Sequence, residues 1–162
     1  MFYDLSMPKN SAPPRKPRFV LPANATDCHF HVYAKGARFP DHEMDQALAL
    51  HGRLGIKRGI LVQPDPPSRA VTLQGLALAG PNYRGVTPIA EVPSQKEIEA
   101  LHAAGMRGAR FIFLPRHGMR PDIATMRQTV ERVAPFGWHL VLLLDPADML
   151  EVFDFLRGLT IP

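Results

Sequence analysis

Five apolar runs along the chain alternate with stretches that suit helices. The runs occupy 24–32, 57–63, 83–92, 107–114 and 138–145, and the helical stretches follow at 44–54, 68–79, 94–104, 119–134 and 147–157. Continuously apolar strands separated by helices are typical of a parallel sheet that is buried on both faces. The pattern therefore predicts an α/β protein with five βα units.

Two architectures fit five βα units. One is an open, doubly wound sheet, and the other is a (β/α)8 TIM-type barrel truncated after about five units. Units of roughly 30 residues match the 162-residue chain, whereas a whole barrel needs about 250 residues. No glycine-rich phosphate loop follows the first run, which weakens the nucleotide-binding version of the open sheet.

The first 18 residues differ in composition from the rest of the chain. They are rich in Pro, Lys, Arg, Ser and Asn and carry no acidic residue after Asp4. We predict that 1–18 is a flexible, basic, Pro-rich tail and that 19–162 is the folded domain. The formal net charge is only +4, and long lysine runs with interleaved aromatic residues are missing. The composition therefore predicts no nucleic-acid partner.

Cysteine content and hydropathy restrict the cellular location. Cys28 is the one cysteine, so a disulfide within the chain is impossible and a reducing compartment is the default. The first 18 residues contain no apolar core of a signal peptide. The longest apolar run, LVLLL at 140–144, is too short to span a bilayer. We expect a cytoplasmic protein without a membrane partner.

Polar residues with catalytic potential alternate at the end of the first run. Residues two apart on a strand share a face, so Asp27, His29 and His31 should point one way and Cys28 and Phe30 the other. Active sites of parallel barrels lie at this carboxyl end of the strands. Two imidazoles there can hold a divalent metal of the zinc type or, without metal, polarise a carbonyl and move protons. We predict that Asp27, His29 and His31 are catalytic, with His29 and His31 as ligands only if a metal is bound.

Several longer segments resemble one known family. DCHFHV, RLGIKRGILVQP, LHAAGMRGARFIF and GWHLVLLLD together resemble the amidohydrolase superfamily, and within it the amidohydrolase-2 group. The segment RGARFIFLPR is similar to the dicarboxylate lactonase-like branch. The likeness extends over about 17–162. It implies a TIM-type barrel and a hydrolase that acts on a lactone or ester of a carboxylated small molecule, as in the degradation of aromatic compounds.

The resemblance also implies roles for individual residues. His29 and His31 match two first-strand histidines that polarise the substrate carbonyl without metal in the lactonase branch and ligate metal elsewhere in the superfamily. Arg110 and Arg116 match two arginines that bind substrate carboxylates. His117, beside Arg116, is a further substrate-binding candidate, with a plain surface position as the alternative.

The sequence pattern gives separate grounds for Arg110. It alternates with Ile112 and Leu114, so an inward side chain would bury a charge that requires an anionic partner. A substrate carboxylate and a carboxylate of the barrel itself both satisfy this requirement. The remaining histidines, among them His51 in a helix and His139 at the start of the fifth strand, receive no role.

The resemblance places two further catalytic groups, a histidine and a water-activating aspartate, after residue 162. We therefore expect the 162-residue chain by itself to be inactive. Three hypotheses follow: the N-terminal portion of a longer hydrolase, a non-catalytic half-barrel that binds an anionic small molecule, or a half-barrel that completes its site by self-association as a homo-oligomer.

Overall fold

The computed structural model describes residues 17–35, 42–64, 68–114 and 120–162. It contains one parallel sheet with the strand order β1-β2-β3-β4-β5. The strands are β1 (Thr26–Phe30), β2 (Arg58–Val62), β3 (Tyr83–Pro88), β4 (Met106–Ile112) and β5 (His139–Leu143), and the helices are α1 (Met44–Leu54), α2 (Arg69–Ala79), α3 (Gln95–Ala103), α4 (Ile123–Val133) and α5 (Met149–Arg157).

The strand order decides between the two predicted architectures. A doubly wound sheet reverses its strand order at a switch point, whereas a barrel adds each strand beside the previous one. The observed order is sequential throughout. The structure is therefore a half-barrel of five βα units, which confirms the prediction of a truncated TIM-type barrel. Most of the predicted tail, 1–16, lies outside the described residues.

Capping side chains account for two helix starts. Ser94 Oγ accepts a hydrogen bond from the Glu97 backbone N–H at 3.2 Å, which is one half of a capping box, while the Glu97 carboxylate pairs with Arg69 instead of with the backbone. The fourth helix begins at 123, later than the predicted 119. Asp122 sets this start because its Oδ1 accepts from the Thr125 N–H at 2.6 Å, and this bond lowers the pKa of the Asp122 carboxyl.

The main hydrophobic core lies between the sheet and the helices. Ala109, Phe111 and Phe113 of the β4 segment are fully buried there, and alternation turns Arg110 and Ile112 to the opposite side of the sheet. We call that opposite side the interior face, because it corresponds to the inside of a barrel. None of the helices in the described part of the chain has the length and hydropathy to cross a membrane.

We expect the structure to lose stability in mild acid through His102. Trp138 is fully buried, and its indole Nε1–H donates to His102 Nδ1 at 3.1 Å, which requires that nitrogen to be unprotonated. Desolvation, followed by the charges of Arg107 and Arg84, lowers the pKa of His102 below 6.5. The unfolded chain therefore takes up this proton more readily, and stability should decrease as pH falls through 6.5 towards the folded-state pKa.

The single tryptophan provides the measurement. Thermal unfolding followed by Trp138 fluorescence between pH 7.5 and 5 should show a falling midpoint, with quenching in the folded baseline as His102 gains its proton. His102→Gln keeps an acceptor without titrating in this range, so its midpoint should change less. An identical pH dependence in wild type and variant would assign the effect to other groups.

Candidate active site

His29 and His31 lie together at the end of β1. Phe30 and Val32 pack against the main core, so the two histidines turn to the interior face. Their rings meet edge to face with centroids 5.0 Å apart. His31 Nδ1 is 2.7 Å from the Val62 carbonyl oxygen, and since a carbonyl only accepts, Nδ1 carries the proton. A ring that carries its single proton on Nδ1 keeps a lone pair on Nε2, available to a proton or a metal.

The environment of His29 favours its neutral form. Desolvation is the largest cause that lowers the pKa of His29 below 6.5, followed by the charges of His31 and Arg110, and Asp27 acts weakly in the opposite direction. At neutral pH the ring is thus an uncharged imidazole that can donate from one nitrogen and accept at the other. Such a ring can polarise a carbonyl without carrying a charge of its own.

Arg110 brings a positive charge to the same face. The residue is 6% exposed, alternation places it opposite the main core, and its charge acts on His29. A buried guanidinium requires acceptors with good geometry, and a carboxylate fits its planar fork bidentately. The interior face therefore combines two imidazoles with a cation.

Removing the Arg110 charge should raise the pKa of His29. Arg110→Met keeps a long apolar side chain in the buried position while it deletes one of the causes that depress this pKa. Titration of the imidazole Cε1–H resonances by NMR measures the shift. Arg107→Met, on the same strand, is the matched control. A change in the pKa of His29 of equal size in both variants would contradict the placement of Arg110 near His29.

The prediction that Asp27 shares a face with the two histidines is wrong. Asp27 pairs with Gly59 and Phe30 with Leu61, so three steps along β1 match two steps along β2. This bulge turns Asp27 and Phe30 to the same, helix-covered side. Asp27 Oδ2 lies there 3.1 Å from His51 Nε2 of α1.

Sequence reasoning missed His51. Its side chain is buried, with Nδ1 2.9 Å from the Tyr83 hydroxyl and the ring stacked on the Tyr83 ring at 15°. A signal was present, because His51 follows Met44 by seven residues and Ala47 by four, which puts it on the core face of α1. A histidine on such a face requires a buried polar partner.

The described residues supply part of a metal site. His31 has the usual arrangement of a metal ligand, with Nδ1–H held by a backbone carbonyl and Nε2 open. A catalytic zinc takes about three protein ligands. Across the described ranges, no three His, Cys, Asp or Glu side chains come together as ligands. His29 and His31 therefore fall short of a complete ligand set, and the metal remains a prediction.

Two predicted substrate-binding residues cannot be placed. Arg116 and His117 both belong to 115–119, outside the described residues.

Asp145 is exposed after β5 and occupies the N-cap position of a short 3-10 turn, without a side-chain capping bond. His139 is the first residue of β5, at the other end of the strands from the β1 histidines.

Several known proteins are similar to this chain. A family model described as "Amidohydrolase" matches residues 26–161. A 2-pyrone-4,6-dicarboxylate hydrolase from Comamonas testosteroni is 34% identical over 161 residues, which cover 91% of this chain and 52% of the relative. A 4-sulfomuconolactone hydrolase from Hydrogenophaga intermedia is 27% identical and covers 90% and 52%. The chain thus spans about half the length of the curated relatives that it matches.

Solved structures give the same picture of the fold. An apo crystal structure from Agrobacterium tumefaciens superimposes with a TM-score of 0.74 at 25% identity, covering 90% of this chain and 57% of the other. An Acinetobacter baumannii structure reaches 0.72 at 19% identity, covers 85% and 56%, and supports the fold alone. The five βα units therefore correspond to just over half of each larger chain.

Proposed function

The chain belongs to the amidohydrolase family, and from this premise we propose that it supplies the carbonyl-activating part of a site that hydrolyses lactones or esters of carboxylated small molecules. The names of two relatives support the substrate class, since a pyrone dicarboxylate and a sulfomuconolactone are both lactones with acidic groups. Cytoplasmic location and the lack of nucleic-acid and membrane partners remain predictions from the sequence.

One observation carries the proposal: the buried Arg110 shares the interior face with His29 and His31, and its charge reaches His29. The guanidinium can bind a substrate carboxylate through two parallel N–H···O bonds. This binding would direct the ester group towards the histidines and hold it there, which lowers the entropic part of the barrier.

The two histidines can act differently on the bound ester. Neutral His29 can donate an N–H to the carbonyl oxygen and stabilise the negative charge that develops there. His31 Nδ1–H is committed to the Val62 carbonyl, so its Nε2 can accept a proton from a water molecule. We further propose that complete catalysis requires groups in addition to these, because the nearby carboxylate of Asp27 is engaged by His51.

A second candidate is a non-catalytic half-barrel that binds an anionic small molecule or completes its site by self-association. Exposed apolar side chains of α5 favour it: Met149, Leu150 and Phe153 are 42%, 84% and 49% exposed. A contiguous exposed apolar patch on a helix can mark a protein interaction site. A clean monomer in size measurements across the micromolar range would exclude self-association.

A substrate pair separates the candidates. Protein produced from the entire coding region is incubated with 2-pyrone-4,6-dicarboxylate and with unsubstituted 2-pyrone, and ring opening is followed by ultraviolet absorbance while calorimetry measures binding. Hydrolysis of the dicarboxylate in clear preference to 2-pyrone supports the lactonase. Saturable binding without turnover supports an anion-binding half-barrel, and the absence of both binding and turnover contradicts the lactonase and the anion-binding half-barrel, leaving self-association to the size measurement.

A further inference from the structure

We propose that His51, with Tyr83 behind it, positions His29 through the carboxylate of Asp27. Asp27 is then a positioning residue, not a group that reacts with substrate. The proposal rests on the proposed function for the chemical role of His29, but its contacts can be tested without any enzymatic activity.

The hydrogen bonds form one consistent chain. An ionised Asp27 only accepts, so His51 Nε2 must donate to Oδ2 over 3.1 Å. With Nε2 as the donor, a ring that carries one proton accepts at Nδ1 from the Tyr83 hydroxyl over 2.9 Å. The other carboxylate oxygen, Oδ1, accepts from the His29 backbone N–H at 3.1 Å. Each proton in this chain is used once, and each donor faces an acceptor.

The bulge explains why His29 needs this support. Cys28 and His29 have no registered partner on β2 between the pairs Asp27–Gly59 and Phe30–Leu61. Among the described residues β1 is an edge strand with one neighbour, so the ladder cannot hold this position from the other side. The Asp27 side chain supplies the acceptor that the interrupted ladder does not.

Packing holds the His51 end of this series of hydrogen bonds rigid. His51 lies against Phe30 edge to face, at 5.0 Å, and stacks on Tyr83, so three separate elements meet at its ring. Gly59 leaves the room for them, because a Cβ there would lie 2.7 Å from the Tyr83 ring and 2.9 Å from the Phe30 ring. The His51–Tyr83 hydrogen bond is buried, and a buried, satisfied bond of this kind restricts motion. Its rigidity passes to His29 through Asp27.

Two substitutions at His51 separate hydrogen bonding from packing. His51→Phe keeps an aromatic ring between Phe30 and Tyr83 but removes both nitrogens. His51→Gln sacrifices part of the stacking but retains an N–H that can reach Asp27. If His51 only fills space, His51→Phe should disturb His29 less than His51→Gln does. If His51 positions Asp27 by hydrogen bonding, His51→Gln should disturb His29 less.

The first measurement is amide hydrogen exchange by NMR. We expect the His29 N–H to exchange about tenfold faster in His51→Phe, in keeping with the loss of one charge-assisted hydrogen bond, and near the wild-type rate in His51→Gln. Asp27→Asn retains an acceptor for the His29 N–H and should lie between wild type and Asp27→Ala. Gln46→Ala, an exposed change on the same helix, is the matched control and should leave the rate unchanged.

The outcomes decide the proposal either way. Unchanged exchange at His29 in His51→Phe would overturn it, and so would an equal acceleration throughout β2, which would indicate general destabilisation. In an active enzyme, His51→Phe should reduce kcat about tenfold or more. Its KM should stay within about twofold of the wild-type value, because Arg110 still binds the substrate carboxylate. His51→Gln should have most of the wild-type kcat. A wild type without hydrolase activity would refute the proposed function, while the exchange rates would still decide the positioning.

Discussion

Replacing His29 or His31 with alanine is expected to reduce kcat for a carboxylated lactone by about 10²- to 10⁴-fold, the usual contribution of a positioned acid or base. His29→Ala removes the donor that polarises the carbonyl, and His31→Ala removes the acceptor on Nε2. Because the two rings serve one step, the attack of water on the substrate carbonyl, the double variant should be little worse than the poorer single variant. Steady-state kinetics on protein from the entire coding region measure these effects.

The loss should not come from unfolding. His29 as a whole is exposed although its ring is partly desolvated, and His31 contributes one hydrogen bond to a backbone carbonyl, worth about 1 kcal/mol. Circular dichroism should therefore show native secondary structure in both variants. His139→Ala is the matched control, since it removes a histidine from the opposite end of the parallel strands. A kcat near that of wild type in either β1 variant would remove that histidine from the mechanism.

The sequence predicted the elements well because local signals agreed with the tertiary fold. The helix predicted over 94–104 begins with Ser94 as its N-cap, and Arg110, in the apolar run of β4, is buried. The choice between an open sheet and a barrel was different in kind. Both consist of the same βα unit, and the strand order that distinguishes them depends on pairing between units, which periodicity does not encode.

The side of the sheet on which Asp27 lies could not be predicted for a related reason. Alternation holds only while each residue of a strand has one partner, and the bulge beside Gly59 gives β1 an extra residue. The role of His51 was not predicted because its partners, Asp27 and Tyr83, are 24 and 32 residues away in sequence. Helical spacing showed that His51 faces the core, but only the tertiary structure shows what it meets there.

Arg110→Met is expected to weaken binding of a dicarboxylate substrate about 10- to 100-fold, the value of a charge-assisted, bidentate contact, and to affect kcat much less. The effect should vanish for a substrate without the matching carboxylate, because the contact is then missing in wild type and variant alike. Arg107→Met removes a charge from the same strand and should leave KM unchanged. Arg107 donates to the backbone carbonyls of His102 and Met106, near the start of β4.

The stability of Arg110→Met distinguishes the two roles that the sequence left open. If Arg110 binds a carboxylate of the barrel itself, methionine leaves that carboxylate buried without its cationic partner, and the melting temperature should fall by several degrees. If Arg110 exists for the substrate, an apolar side chain of similar length is tolerated at 6% exposure, and the melting temperature should stay or rise. A variant that is at least as stable as wild type but binds the dicarboxylate poorly assigns the charge to the ligand. A destabilised variant with an unchanged KM assigns it to the fold, since burying a cation that contributes nothing to binding requires a partner within the protein.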